Sequence, residues 1–324
     1  MSSNEAASSN AVVSGSAAAD ASARPTLGSL RRRRSADIKG QIFLGLLLIA
    51  IGLAVAMVLS VLASVLVDGS DVLTGQLRTF LSNPSSSDPA KAGVAQGIRG
   101  SLLIAAIVSL VAFPVGIGAA IYLEEYAGDT LFTRVIEIAV RNLAGIPSIV
   151  YGLLGLAVFV QALRGLTGGS SVISGGLTLS LLVLPIVIIT ASEAIRAVPS
   201  SLSDGAYGLG ATQWEVIRTQ TLPAALPGIL TGAMLSIARA LGEAAPLLVV
   251  GAAAFYTTGF QGFLEQFRGA FTALPMNVAN FAKLPADKWA GHAAAASVVV
   301  LVVVFFINLV AILARARITK KLGR

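Results

Sequence analysis

Six stretches of this chain, at residues 41–67, 100–123, 136–162, 174–195, 225–254 and 291–314, each run for more than 20 residues with few charges. That is the length an α-helix needs to cross a hydrocarbon core of about 30 Å. A backbone in lipid must satisfy its own hydrogen bonds, so runs of this kind restrict the fold to helices or a closed barrel, and uninterrupted apolarity rather than alternation selects helices. The expected fold is therefore all-α, a polytopic membrane bundle of six transmembrane helices. Composition agrees: of 324 residues 55% are hydrophobic and 12% charged, more apolar surface than one soluble core can hide.

Residues 1–36 are Ser/Ala/Asn-rich and end in Arg31-Arg32-Arg33-Arg34; they read as a disordered cytoplasmic tail whose arginines anchor the first helix. A cleaved signal peptide fits less well, because the apolar run from Gln41 to Val67 is long for an h-region and starts far from Met1. The expected organisation is a first transmembrane helix at 37–67, an extracytoplasmic Ser/Pro-rich loop at 68–94, a transmembrane domain at 95–315 and a second cytoplasmic tail at 316–324. Six spans put both termini on one side. With the amino terminus inside, the cytoplasmic segments hold 14 of the 23 Lys and Arg, the outer loops seven, and Arg141 and Arg239 lie within spans, a bias that favours a plasma-membrane protein with cytoplasmic termini.

The net charge of +7 sits beside apolar segments, as topology signals do, which argues against nucleic acid as partner. The absence of cysteine excludes disulfides, thiolate metal ligands and a cysteine nucleophile. His292 is the single histidine and stands where an interfacial residue is expected. The outer segment 255–290 carries Phe255, Tyr256, Phe260, Phe263, Phe267, Phe271, Phe281 and Trp289; headgroup anchoring is the expected role, with Trp289 an interface anchor, and a partner surface is the alternative. Pro114, Pro147, Pro185 and Pro246 fall inside spans and predict kinks.

Between spans four and five the chain reads as two short helices. Ser203 is a candidate N-cap with Asp204 in the first turn, and Gly210 can close the helix. A second helix, about Thr212 to Gln220, would present Trp214, Ile217 and Arg218 before Leu222-Pro223 turns the chain back into the membrane. An ordinary connector and a rigid element that enters a groove on another protein both fit this pattern.

Asp204-Gly205-Ala206, then three residues, Gly210, nine residues, and Gln220-Thr221-Leu222-Pro223 resembles the EAA loop of ABC-transporter permease subunits, Glu-Ala-Ala-x3-Gly-x9-Ile-x-Leu-Pro. Asp204, Gly205 and Gln220 depart from that pattern; Gly210 and Leu222-Pro223 keep it. The stretch from Asn142 to Gly155 (Asn-Leu-Ala-Gly-Ile-Pro-Ser-Ile-Val-Tyr-Gly-Leu-Leu-Gly) and the stretch from Ala238 to Leu248 (Ala-Arg-Ala-Leu-Gly-Glu-Ala-Ala-Pro-Leu-Leu) are similar to the permeases of phosphate ABC importers, the second most like the PstA type, with Ala244 where Thr is usual. The resemblance covers about residues 95–315. It implies a coupling helix between spans four and five, in which Asp204, Gly205, Ala206, Gly210, Trp214, Leu222 and Pro223 meet an ATP-hydrolysing subunit. It also implies a PstC-like second permease, two PstB-like nucleotide-binding subunits that hold ATP and Mg, and a PstS-like phosphate-binding protein outside. No cofactor is expected on this chain, which has no Gly-Lys dipeptide and hence no P-loop, so it is not expected to be an enzyme.

Arg239 and Glu243 lie one helical turn apart, on a face shared with Gly232 and Ser236. A charge at mid-bilayer costs about 2.5–3.5 kcal/mol, so the pair needs either each other or a wet cavity. Mutual neutralisation that locks packing is one reading. The other is a phosphate pathway, in which the guanidinium fork of Arg239 takes two oxygens and Glu243 keeps the empty site near neutral. Span three repeats the arrangement with Glu137 and Arg141, followed by Ala144, Ser148, Gly152 and Gly155; here an interfacial salt bridge for Glu137, close helix approach at the small residues, or room for solute all fit. Glu193 reads as a membrane-edge residue. The expected pathway residues are Arg239, Glu243, Ser236, Arg141 and Ser148. The alternative functions are import of another oxyanion (sulfate, molybdate or phosphonate), secondary ion-coupled transport with Glu243 as proton carrier, and a membrane scaffold, which has no use for Arg239.

Overall fold

The computed structural model describes residues 38–252 and 263–322, which form helices and no strand. The Arg31–Arg34 run and the aromatics Phe255, Tyr256 and Phe260 lie outside the described residues. The chain divides into two units, the first ending at Leu62 and the second running from Ala63 onward. Helix α1, Ile38–Gly75, begins in the first unit, where it is apolar on all sides, the mark of a helix meant for lipid. It continues past the expected end at 67, and in that last part Ser70 and Thr74 turn their hydroxyls back onto the carbonyls of Val67 and Ser70.

In the second unit α2 (Leu77–Ser82) is followed by α3 (Ala95–Ile121), which ends in a wide π turn, Tyr122–Tyr126. Then come α4 (Leu131–Ala144), α5 (Ser148–Gly155) with a π segment to Ala162, α6 (Arg164–Thr167) and α7 (Val172–Arg196). After them stand α8 (Ser200–Gly208), α9 (Gln213–Val216) with a π turn Ile217–Thr221 leading into α10 (Leu222–Gly242), and α11 (Ala245–Val250). Helices α12 (Phe263–Arg268), α13 (Leu274–Ala282) and α14 (Ala286–Leu322) complete the chain.

Among the described residues five helical runs are long and apolar enough to cross a membrane, and a sixth crossing is the pair α4 and α5 with its π segment, bent by 101°. The expected third span is thus not a straight rod. Gly145 ends α4, and Pro147, which has no N–H to donate and disfavours helical backbone at Ile146, starts a new helix in a new direction. Tyr151 spans the bend, its hydroxyl donating to the Leu143 carbonyl at 2.8 Å, so one acceptor freed by the break is satisfied.

The fifth span departs from expectation at both ends. Its helix starts at Gln213 rather than 225, and Leu222-Pro223 lies inside it instead of turning the chain. The π turn just before Pro223 loosens the i→i−4 ladder where the proline ring would otherwise clash. The helix then stops at Gly242, Glu243 is extended, and Pro246 sits in the first turn of the short α11. Pro147 and Pro246 therefore start helices, while Pro114 and Pro185 lie inside α3 and α7 as expected.

Helix α7 is the pillar of this unit, with buried residues from Val172 to Ile195. Glycines let its neighbours approach at van der Waals distance. No side chain fits at Gly116 of α3 against Val187, at Gly155 of α5 against Thr178, or at Gly232 of α10 against Thr190. Gly152 does the same for α5 against Pro246 of α11, so the two broken spans pack on each other. The small residues of span three thus serve close approach.

At the far end from α8, the aromatics form a packed cap. Phe281 stacks on Trp289 at 5.2 Å, and His292 meets the edges of Phe80 and Phe281 while its Nε2 lies 3.0 Å from the Pro89 carbonyl oxygen. Trp289 is 5% exposed and His292 7%. The expected headgroup anchor and interfacial histidine are both interior residues, as are Phe271 and Phe281. Asn277 bonds Ser85 at 2.8 Å and the Leu274 N–H donates to Ser101 at 2.9 Å, so the loop after α2 is sewn to α3 and α13.

Candidate functional site: the exposed α8–α9 segment and the Arg239 break

Helix α8 starts at Ser200, directly after Pro199. Proline fixes φ near −60° and favours a helix start just beyond it, so the N-cap lies earlier than Ser203, and Asp204, Gly205 and Ala206 are mid-helix. The carboxyl end is as expected: Gly210 adopts φ +87, the Gly210 N–H donates to Tyr207 and the Ala211 N–H to Ala206, the paired bonds of a Schellman motif. Thr212 and Glu215 then form a reciprocal capping box that opens α9.

None of the residues of α8 is buried. Leu202 and Tyr207 are exposed, Leu209 is 92% exposed, and Trp214 shows its ring to solvent at the start of α9. A cluster of this kind beside a polar helix is the composition of a protein or membrane interaction surface. Gly205 has open space around it, so nothing within this chain demands a glycine there. Ile217, expected on the presented face with Trp214 and Arg218, is buried instead, because the π turn rotates it inward.

Four residues that patterning did not single out, Arg196, Glu124, Glu125 and Gln213, hold this segment in place together with Glu137. Arg196, the last residue of α7, donates from Nε to Glu124 at 2.6 Å and from Nη2 to Glu137 at 2.9 Å. Gln213, the first residue of α9, donates its side-chain amide to the carbonyl of Glu125. Glu137 is therefore paired, as an interfacial salt bridge predicts, but with Arg196 and not with Arg141 one turn away. Arg141 is exposed and lines a small cavity with Glu124, Glu137, Ser192, Glu193 and Arg196.

The second region lies at the break after α10. Arg239 occupies the last turn, where a cation suits the free carbonyls, and its Nε lies 3.6 Å from Glu243 Oε1. This is a loose pair: the Arg239 side chain is 45% exposed and that of Glu243 22%. Gly152, the residue after Tyr151, packs directly on Pro246 of α11, so the helix that follows the α4–α5 bend lies beside the break after α10. Ser236 is wholly buried and spends its hydroxyl on the Gly232 carbonyl at 2.9 Å, one turn from where Gly232 meets Thr190 of α7. Ser148 is the first residue of α5, directly after Pro147.

A helical membrane unit with an exposed Gly-capped segment between two long spans, and a loosely paired arginine at a helix break, defines a transport permease. The chain belongs to the family of binding-protein-dependent transport system inner membrane components, whose model matches residues 112–324. Among its relatives are the phosphate transport system permease protein PstA of Yersinia pestis, 34% identical over 81% of this chain and 83% of that one, and PstA 1 of Mycobacterium tuberculosis strain H37Rv, 34% identical over 71% of each. The probable ABC transporter permease protein YqgH of Bacillus subtilis is 37% identical over 69% of this chain and 74% of its own length. These relatives bear out the PstA-type resemblance carried by the loop and the two span signatures. In architecture the chain matches the inward-facing MetNI methionine ABC transporter, with a TM-score of 0.52 at 19% identity over 74% of this chain and all of that one. The protein is thus a permease subunit of an ABC transporter and a multi-pass membrane protein.

Proposed function

We propose that this chain is the PstA-like half of an ATP-driven importer that moves inorganic phosphate across the plasma membrane by alternating access, with both termini and the α8–α9 segment in the cytoplasm. The observation that carries the reading is Arg239, half-exposed at an interrupted helix and held by Glu243 at a distance that leaves its planar edge free. A guanidinium so placed offers two parallel donors to an oxyanion, and a neighbouring carboxylate that competes for it keeps binding weak enough for release. The names of the relatives, phosphate transport permeases in two of the three cases, point to the same solute.

ATP and its Mg are held by two PstB-like subunits, a PstC-like chain completes the pathway, and a PstS-like protein delivers phosphate from outside. Closure of the nucleotide-binding pair moves the docked α8 and shifts the helices between outward and inward access. Glu243, Ser148 and Ser236 are assigned to the pathway with Arg239, Ser236 serving the wall and not the solute, and Arg141 joins it from the separate cavity it lines beside Arg196. Radiolabelled phosphate uptake by the complete complex in proteoliposomes tests this. Arg239→Gln is expected to lower uptake by about 10- to 100-fold, the worth of a charged hydrogen bond, with the complex still assembled. Wild-type uptake by that variant would falsify the assignment.

A further inference from the structure

Both ends of the exposed segment are fastened to one place. Arg196 precedes Ala197 and bonds Glu124; Gln213 follows Thr212 and bonds the backbone of Glu125. Glu124 and Glu125 are adjacent residues in the π turn that ends α3. The chain between, residues 197–212, therefore leaves and returns at a single post, and the Schellman turn at Gly210 makes the excursion stiff.

Arg196 also reaches a third element. Its Nη2 bonds Glu137 midway along α4, a helix without a buried residue that packs against α7, so the bond ties the body of α4 to the end of α7. Glu124 is 10% exposed at its side chain and has one cationic partner among the described residues, Arg196; removing the arginine leaves a carboxylate that is nearly buried and uncompensated. The guanidinium raises its own hold through geometry, with Nε on one acid and Nη2 on the other, a fork that an ammonium cannot copy.

We propose that Arg196 is a positioning residue for energy coupling: it joins the base of the α8 segment to the end of α3 and the middle of α4 at once, so that a push on α8 moves the central helices and the bent α4–α5 arm together. This rests on the reading of α8 as the contact with an ATP-hydrolysing subunit. Cutting the arginine lets α8 move without the arm, and ATP is then hydrolysed without transport.

The test uses the whole transporter in proteoliposomes, with ATP hydrolysis and phosphate uptake measured on the same preparation. Arg196→Gln is expected to lower phosphate moved per ATP by at least about tenfold while hydrolysis stays within about twofold, and Arg196→Lys to recover part of the ratio. Glu137→Gln, on the exposed acid, and Gln213→Ala, on the other end of the segment, are expected to lower the same ratio by about two- to fivefold. If Arg196→Gln fails to assemble, those two variants decide. An unchanged ratio in them, or uptake and hydrolysis falling in step in Arg196→Gln, overturns the proposal. Failure of the wild-type complex to import phosphate on ATP would instead sink the functional reading on which it rests.

Discussion

Arg239 shows how one residue's setting decides its chemistry. In an unbroken span it and Glu243 would face each other one turn apart and close into a pair. The helix ends between them, Glu243 swings into extended backbone, and the separation opens to 3.6 Å. Arg239→Lys is therefore expected to impair uptake by about tenfold, since a point ammonium cannot hold two oxygens in a plane; uptake at the wild-type rate would mean that charge alone matters. The sequence showed the residue but not its freedom, because the break at Glu243 is made by local backbone geometry ahead of Pro246. Glu137 teaches the complementary lesson. Its neighbour Arg141 is legible in the sequence, whereas its bonded partner Arg196 lies 59 residues away and becomes visible only once α4 and α7 are packed.

At the scale of elements, the glycine contacts on α7 set a limit on change. A side chain at Gly232 would collide with Thr190, so Gly232→Val is expected to cost about 1–3 kcal/mol by overpacking. A lower melting temperature of the purified complex would register it; no change would show that α10 can slide on α7. Gly210 has a different requirement. Its φ of +87 is strained for any other residue, and Gly210→Val is expected to destabilise the segment by about 1–2 kcal/mol and reduce co-purification of the nucleotide-binding subunit. Full co-purification with intact coupling would argue that α8 is not the contact. Hydropathy points to the same apolar helical runs that are long enough to cross a membrane, because it reads composition over about twenty residues. It missed the 101° bend and the early start of the fifth span because direction and register depend on single positions: Pro147 in one case, the π turn before Pro223 in the other.

For the molecule as a whole, the exposed segment and the aromatic cap stand at opposite ends of α3, one beside Glu124 and the other beside Ala95. Cysteines placed at Ser87 and Ser201 are expected to react with an impermeant maleimide from opposite sides of the membrane, Ser87 from outside and Ser201 only after permeabilisation. The cysteine-free wild-type chain gives no background to such labelling. Equal reaction of both positions in intact cells would overturn the proposed orientation. Sequence reasoning placed Trp289 and His292 at the lipid surface because aromatic residues near span ends usually belong there. The structure turns them inward because the loop from Asn83 to Val94 folds over them and supplies the Pro89 carbonyl.

The way residues 197–212 leave and re-enter the body has a bearing on how such transporters diversify. A segment that begins and ends at one post and carries its own turn and cap is an exchangeable cassette. If α8 is the proposed contact with a motor subunit, its exposed side chains can be rewritten for a different one, provided that Arg196 and Gln213 keep their grip, without touching the proposed solute pathway beyond Gly242.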